Sequence, residues 1–431
     1  MMSDSIGSIA RVPQPVEIRR RFSFLGRIRY QLAGVLLFAV ILPEELWFRF
    51  QLPWWPLGSG DNALIGSVIA VLTGAYLFRR MSRYPGVGAT APVIPSFAAA
   101  YGVVISVFFF LRVDYSRFLF LASFVIAVAW YSFVTILERR ARHPRLVLVP
   151  GGQSSQLVGV GLAEWRAARS PDEIPRDCAG VVADLQADLS PEWERFLASC
   201  ALAGVAVYHW KQIAESLTGR VEIEHLSENS LGSLVPSSIY FRLKRPADFL
   251  AALAVLPLAL PLVGLIALAI RLDGRGPVLF RQQRLGFRGK VFTMLKFRTM
   301  RPKAEEGAQF TVPRDARITR VGRFLRRYHL DELPQIVNIL KGEMSWIGPR
   351  PEALPLSTWY ESEIAFYAYR HIVRPGITGW AQVNQGNVAE IAAATSKLHY
   401  DFFYIKHFSF WLDLLIAAKT VRTVLTGFGS H

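Results

Sequence analysis

Apolar and charged positions alternate in blocks along the first third of the chain. Hydrophobic stretches at 30–48, 63–78, 91–111 and 118–137 are separated by connections of which the second is rich in arginine and the first and third carry fewer cations, and a helix needs about 20 apolar residues to cross the hydrocarbon core. The pattern predicts a four-helix transmembrane region over 30–138. Pro43, Glu44 and Glu45 interrupt the first stretch, and the second is the shortest. Arg19, Arg20, Arg21, Arg27 and Arg29 precede the first, Arg79, Arg80 and Arg83 follow the second, and Arg139, Arg140, Arg142 and Arg145 follow the fourth. Cationic connections stay in the cytoplasm, so the basic N-terminus at 1–29 and the chain beyond the fourth span are expected there. No A-x-A-like cleavage site follows the first run, which argues against a signal peptide.

From Arg145 the period changes. "RLVLVPGG", "CAGVVADL", "GVAVYHW" and "VEIEHL" are short β-rich runs, with helical character in "PEWERFLASCALAG" and "KQIAESLTG" between them. A small Rossmann-like α/β domain is expected over 144–236. Its first strand leads into "PGGQSSQLVGVG", which lacks the G-x-G-x-x-G that lets backbone approach a pyrophosphate. The domain is therefore expected to be degenerate, structural or regulatory.

A second kind of apolar run, "PADFLAALAVLPLALPLVGLIALAI", has Pro257 and Pro261 in its middle, each removing a helix hydrogen bond. Lys244 and Arg245 precede it, and Arg271, Arg275, Arg281, Arg284 and Arg288 follow. Both ends read as cytoplasmic. A re-entrant helix over about 246–270, broken at Pro257 and Pro261, is expected, with a kinked full span as the alternative.

Composition sharpens this. With 52% hydrophobic residues and a formal charge of +16, and a mean hydropathy of +0.27, the chain is too apolar for an ordinary soluble enzyme and too basic to ignore anionic partners. Cys178 and Cys200 are too far apart for a CxxC pair, and the 8 histidines show no metal-ligand spacing. Bases then recur at Arg314, Arg317, Arg320, Arg323, Arg326 and Arg327, and the i, i+3 spacing of Arg317, Arg320, Arg323 and Arg326 lines one helix face with charge for lipid headgroups or for phosphate groups. Next comes "HLDELPQIVNILKGEMSWIGPRP". Pro334 suits the first position of a helix running to Gly342, which places Asp331 and Glu332 just outside its N-terminus. Acids there commonly offset the helix dipole. Beside arginines and an anion-attracting helix end, a carboxylate can instead attack phosphorus, provided cations mask the repulsion.

The ordered series "KRPADF", "GPVLFRQQRLG", "GKVFTMLKFRTM", "LDELPQIVNILKGEMSWIGPRP", "RPGITGWAQVN" and "YDFFYIKHFSFWLDLLIAAKT" resembles the bacterial sugar transferases, the monotopic polyprenyl-phosphate phosphoglycosyl transferases. The likeness covers 244–431, and the N-terminal spans with a degenerate Rossmann-like module resemble the larger members. It implies a mainly α-helical monotopic catalytic domain that moves a sugar-1-phosphate from a UDP-sugar to undecaprenyl phosphate, the step that starts polysaccharide assembly. The site would face the cytoplasm at the bacterial inner membrane. By the same resemblance Asp331 is the nucleophile, Glu332 its dyad partner and helper in deprotonating the lipid phosphate, and Mg²⁺ sits at the diphosphate near Asp331. Arg326 matches a phosphate-contacting base. Lys296, Arg298, Arg350 and Arg374 are further candidates for phosphate or nucleotide contacts, or else for structural ion pairs with acids such as Glu343 or Glu352. Partners are then the lipid bilayer and the two phosphate substrates, with a homodimer open and no nucleic acid expected.

Departures are visible. Leu260, not serine, precedes Pro261, and Gln385, Gly386 and Asn387 replace the Gly-Arg-Asn that usually follows "AQVN". "YDFFYIKHFSFW" is aromatic enough for an interfacial anchor. Two other classes stay open: a noncatalytic scaffold for polysaccharide assembly, and a membrane-bound sugar-nucleotide enzyme of Rossmann type. The latter would need a glycine fingerprint and a Tyr-x-x-x-Lys pair.

Overall fold

The computed structural model describes residues 27–50, 60–84, 90–141, 144–161, 163–175, 178–223, 236, 238–301, 317–385 and 391–426. Arg314 and the Gly386–Asn387 departure lie outside them. The chain divides into two compact units, one of Pro15–Gly219 and one that includes Arg220–His431.

In the first unit the leading apolar segment is helical as α1 (Ile28–Leu36) and α2 (Leu42–Phe50), joined by a π-turn at Leu37–Ile41. Pro43 has no N–H to give the preceding turn, and a widened turn just before it absorbs the loss. Helices α3 (Gly60–Met81), α4 (Val93–Phe110) and α5 (Arg117–Ala141) follow. All three contain stretches long and apolar enough to cross a membrane. They pack with α1 around Val35, Ala39, Ala70, Phe78, Phe97, Ala127 and Tyr131. Glycines let the aromatics in: a Cβ on Gly74 would lie 2.6 Å from the Phe97 ring, the close approach that membrane helices favour. Ile69, Phe110, Leu121 and Phe133 point outward and exposed, which a lipid surround explains.

The same unit carries an all-parallel sheet in the order β2-β1-β3-β4, from β1 (Arg145–Leu148), β2 (Glu164–Ala167), β3 (Gly180–Ala183) and β4 (Val207–His209). Period-two alternation sends Leu146, Leu148 and Val182 to α7 (Trp210–Thr218) through Trp210, Ile213 and Leu217. Val147, Val181 and Ala183 face α6 (Pro191–Leu202) through Phe196 and Cys200. Helices on both faces are what parallel strands require. The strand expected at "VEIEHL" is not formed over its described part: Val221 instead donates its N–H to the His399 carbonyl at 3.0 Å, inside the second unit.

The second unit opens with α8 (Ser238–Asp273), a 36-residue helix containing Pro246, Pro257 and Pro261. The expected break at Pro257 and Pro261 is therefore not a break in helical assignment. A proline inside a helix removes a hydrogen bond and kinks the helix without having to end it. Ala252 and Ala259 pack on Met294, Ile336 and Ile339, and Ile266 and Ile270 pack on Phe297 and Leu325. The opposite side shows Leu250, Leu258, Leu265 and Leu272, the second and fourth 80% exposed. After α8 come the antiparallel hairpin β5 (Leu279–Leu285) and β6 (Val291–Phe297), then α9 (Arg320–Arg327), α10 (Ile336–Lys341), β7 (Ser345–Ile347), α11 (Leu354–Glu363), β8 (Gly376–Thr378), α12 (Trp380–Asn384), α13 (Ile391–Lys406) and α14 (Phe410–Thr426).

Strands β7 and β8 pair in parallel and bring "IGPRP" against "RPGITG". Gly348 donates to Thr378 O at 2.9 Å and Gly376 to Pro349 O at 3.0 Å. The backbones are so close that a Cβ on Gly376 would lie 2.1 Å from Gly348 N. Only glycine fits there.

Candidate active site

Between α9 and α10 the chain makes a 3₁₀ turn, Leu330–Gln335, entered through His329 at φ 54°. A left-handed histidine is uncommon and marks local strain. Asp331 and Glu332 therefore sit inside the turn, not in front of a helix that starts at Pro334. α10 begins at Ile336 and stops at Gly342, φ 85°. The turn packs against β6 through Leu333, Phe297 and Ile336 with their neighbours. Asn338, fully buried, braces the two: it accepts from Leu295 N at 3.1 Å and donates to Thr293 O at 2.8 Å and Glu343 Oε2 at 2.7 Å.

This brace brings Lys296 to Glu332. Lys296 Nζ donates to Glu332 Oε1 at 2.9 Å, and Arg350 donates to the same oxygen at 2.6 Å and to Oε2 at 3.4 Å. Burial would raise the Glu332 carboxyl, but Arg350 and Lys296 together hold it well below the usual carboxylate range. Arg350 is raised in turn by Glu332. Burial pulls the Lys296 ammonium down against the attraction of Glu332. Glu332 is thus locked as an anion with both oxygens engaged.

Asp331 differs. Its side chain is 8% exposed and takes no hydrogen bond from the described residues. Burial pushes its carboxyl up, opposed by Lys296, with Glu332 adding to the rise and Arg350 and Arg326 opposing it. Two adjacent acids are in this way driven apart in ionisation, which marks many catalytic pairs.

The other expected cations divide. Arg326 is close enough to pull on Asp331 while its Nε donates to Thr299 Oγ1 at 2.8 Å. Arg298 is drawn elsewhere: it donates to Ile270 O at 3.2 Å, Gly274 O at 2.7 Å and Arg275 O at 2.9 Å, closing the C-terminal end of α8. Arg374 donates to Gly342 O at 3.2 Å and lies 4.8 Å over the Phe287 ring, at the far end of α10 from Asp331. A guanidinium that matches phosphate oxygens matches orphan helix carbonyls equally well. In this structure both bind main-chain carbonyls at helix ends. Glu343 belongs to Asn338, while Glu352 pairs with Lys397 and stands 4.0 Å from Arg284 and Arg370.

Among the described residues, no group of three or more His, Cys, Asp or Glu side chains could hold a metal ion. Around the acids the cations Lys296, Arg350 and Arg326 outnumber ionised Glu332, leaving a site that attracts anions.

Residues 239–427 match the family described as bacterial sugar transferase. The chain is 49% identical over 373 residues, 86% of its own length and 88% of the relative's, to the UDP-N-acetylgalactosamine-undecaprenyl-phosphate N-acetylgalactosaminephosphotransferase of Aeromonas hydrophila. It is 48% identical over 169 residues, 38% of the chain and 35% of the relative, to the UDP-glucose:undecaprenyl-phosphate glucose-1-phosphate transferase of Xanthomonas campestris pv. campestris. It is 42% identical over 182 residues, 42% of the chain and 39% of the relative, to the enzyme of the same name from Escherichia coli K12. The chain belongs to the bacterial sugar transferase family.

Proposed function

We propose that the protein transfers a sugar-1-phosphate from a UDP-sugar to undecaprenyl phosphate, releasing UMP, through a phosphosugar carried on Asp331. The observation that carries this is the contrast between the two acids: Glu332 is consumed by Lys296 and Arg350, while the Asp331 carboxylate takes no hydrogen bond from the described residues. An Asp331 oxygen attacks the sugar-bearing phosphorus, and the bond to UMP breaks with its electron pair leaving on UMP. An oxygen of undecaprenyl phosphate then attacks the same phosphorus and frees the carboxylate. Lys296, Arg350 and Arg326 screen the repulsion between carboxylate and phosphates.

Glu332 serves this reaction as the anion that holds Lys296 and Arg350. A carboxylate held so far below its usual range is a weak base, and a lipid phosphate dianion needs none. We read this role for Glu332 in place of the deprotonation implied by the resemblance.

Mg²⁺ fits the residues present in a limited way. It keeps several waters and takes one or two carboxylates plus substrate phosphates, and Asp331 is the carboxylate open to it. Bound there, Mg²⁺ would neutralise charge on the diphosphate.

We read α8 as a re-entrant helix. Arg245 donates to Ile339 O and Leu340 O at 2.7 and 3.0 Å near its start, and Arg298 grips its end, so both ends belong to one compact unit. A bend at Pro257 and Pro261, where helix hydrogen bonds are lost, lets the apolar stretch enter one leaflet and return. The catalytic unit then rests on the cytoplasmic face of the bacterial inner membrane. The parallel sheet of the first unit we read as a Rossmann-like module without cofactor: the Asp184 carboxylate accepts from Gln153 N at 2.9 Å, occupying the strand-end crevice where a phosphate would bind.

The extended match to the Aeromonas hydrophila relative makes UDP-N-acetylgalactosamine the first donor to try. The test is UMP release by the purified full chain with Mg²⁺, undecaprenyl phosphate and a panel of UDP-sugars. Lipid-dependent release, lost in Asp331→Asn, is expected. Release that persists in Asp331→Asn contradicts the covalent route, and no release from any donor favours a noncatalytic scaffold.

A further inference from the structure

We propose that Arg370 is a positioning residue that sets Arg350 through its main chain, with Arg284 and Lys397 completing one clamp on residues 350–352. The segment lies between β7 and α11 and has no regular structure of its own. Each of its residues is held by a buried or half-buried cation from a different element. Arg370, on the 3₁₀ turn Tyr367–Ile372, donates to Arg350 O at 2.8 Å. Arg284, on β5, donates to Pro351 O at 2.8 Å. Lys397, on α13, pairs with the Glu352 carboxylate, which also stands 4.0 Å from Arg284 and from Arg370. Arg370 is itself paired with Asp401 at 2.8 Å, and these two side chains are 2% and 1% exposed.

Burying charges of this kind is costly unless each is paired, and a main-chain N–H could have held a loop carbonyl without that cost. What the ionic clamp adds is rigidity at the loop from which Arg350 reaches Glu332. If the main chain at Arg350 slides, its guanidinium leaves Glu332, and the groups around Asp331 lose their alignment. A displacement of about 1 Å far from the chemistry can cost about 100-fold in rate. This inference rests on the proposed transfer reaction.

The experiment is a double-mutant cycle on the full chain in nanodiscs, read as UMP release. Arg370→Met is expected to lower kcat by about 10- to 100-fold with the donor KM changed by less than about 3-fold. Arg370→Lys, which keeps the charge and an ammonium donor but not the planar fork, is expected to recover part of the loss. In an Arg350→Lys background, Arg370→Met should cost less than about 3-fold further, because the clamp acts only through Arg350. Losses that multiply in the double mutant would overturn the clamp and leave Arg370 a stabilising residue. Should the Arg350→Lys background be too slow to measure, or Arg370→Met fail to fold, amide exchange in Arg370→Lys decides. Faster exchange confined to a peptide over 345–353 supports the clamp, and wild-type exchange there overturns it. An inactive wild type, or an active Asp331→Asn, would strike the transfer reaction, while the exchange result would still report on the clamp.

Discussion

Lys296 and Arg350 donate to one and the same oxygen of Glu332, at 2.9 and 2.6 Å. One residue comes from β6 and the other from the loop after β7, so this carboxylate is the tie that closes the site. Removing it leaves two buried cations facing each other. Glu332→Gln is expected to destabilise the catalytic unit by about 3–5 kcal/mol, the usual cost of breaking a buried pair. Asp331→Asn should not, since burial already disfavours its charge. Thermal unfolding of the two variants in detergent separates the roles: a lower midpoint for Glu332→Gln alone is predicted, and equal midpoints would contradict it.

Asn338 touches neither acid, yet it sets the distance between α10 and β6. Asn338→Ala leaves Leu295 N and Thr293 O without their partner, at about 1–3 kcal/mol each. Lys296, next along β6, should then lose its register on Glu332. Lower stability together with a lower kcat is expected from urea titration and UMP release. Normal kcat at lowered stability would show the brace to be structural only.

Glycines in the β7–β8 contact should be intolerant and those facing open space tolerant. Gly376→Ala places a Cβ 2.1 Å from Gly348 N, whereas Gly102→Ala meets nothing within 4 Å. Size-exclusion profiles after extraction are expected to show aggregation or loss for the first and wild-type behaviour for the second.

Acid sensitivity has a definite sign at Glu352. Burial pushes its carboxyl up, and Lys397 and Arg370 more than reverse this, leaving it at about 2 against an ordinary 4.5. A depressed carboxylate stabilises fully above its unfolded value and loses that contribution as pH falls towards its folded value. The contribution is roughly 3 kcal/mol, lost between about pH 4.5 and pH 2. Unfolding midpoints should fall less steeply over that window in Glu352→Gln than in wild type, and parallel curves would refute the assignment.

The spans α3, α4 and α5 were legible because uninterrupted apolar runs have few other uses, and β1 and β3 because their Val-rich cores are buried on both faces. β2 was not, since "EWRA" is an edge strand with one half-buried and three exposed side chains and carries no alternation to read. That Asp331 and Glu332 lie among cations was legible from motif and charge. The helix carbonyls that Arg298 and Arg374 hold were not legible, because helix carbonyls and phosphates ask for the same guanidinium. Asn338 and Arg370 were missed for a related reason: their partners lie 43 to 45 and 20 residues away in sequence, beyond any local pattern.

The most direct test of the central claim is a single-turnover reaction of the full chain with UDP-sugar and Mg²⁺ in the absence of undecaprenyl phosphate, followed by mass analysis of the quenched protein. A burst of UMP stoichiometric with enzyme, and a phosphosugar adduct on the peptide containing Asp331, is the predicted result. UMP that appears only when the lipid acceptor is added, with no adduct on any peptide, would mean direct transfer between the two substrates and would contradict the account.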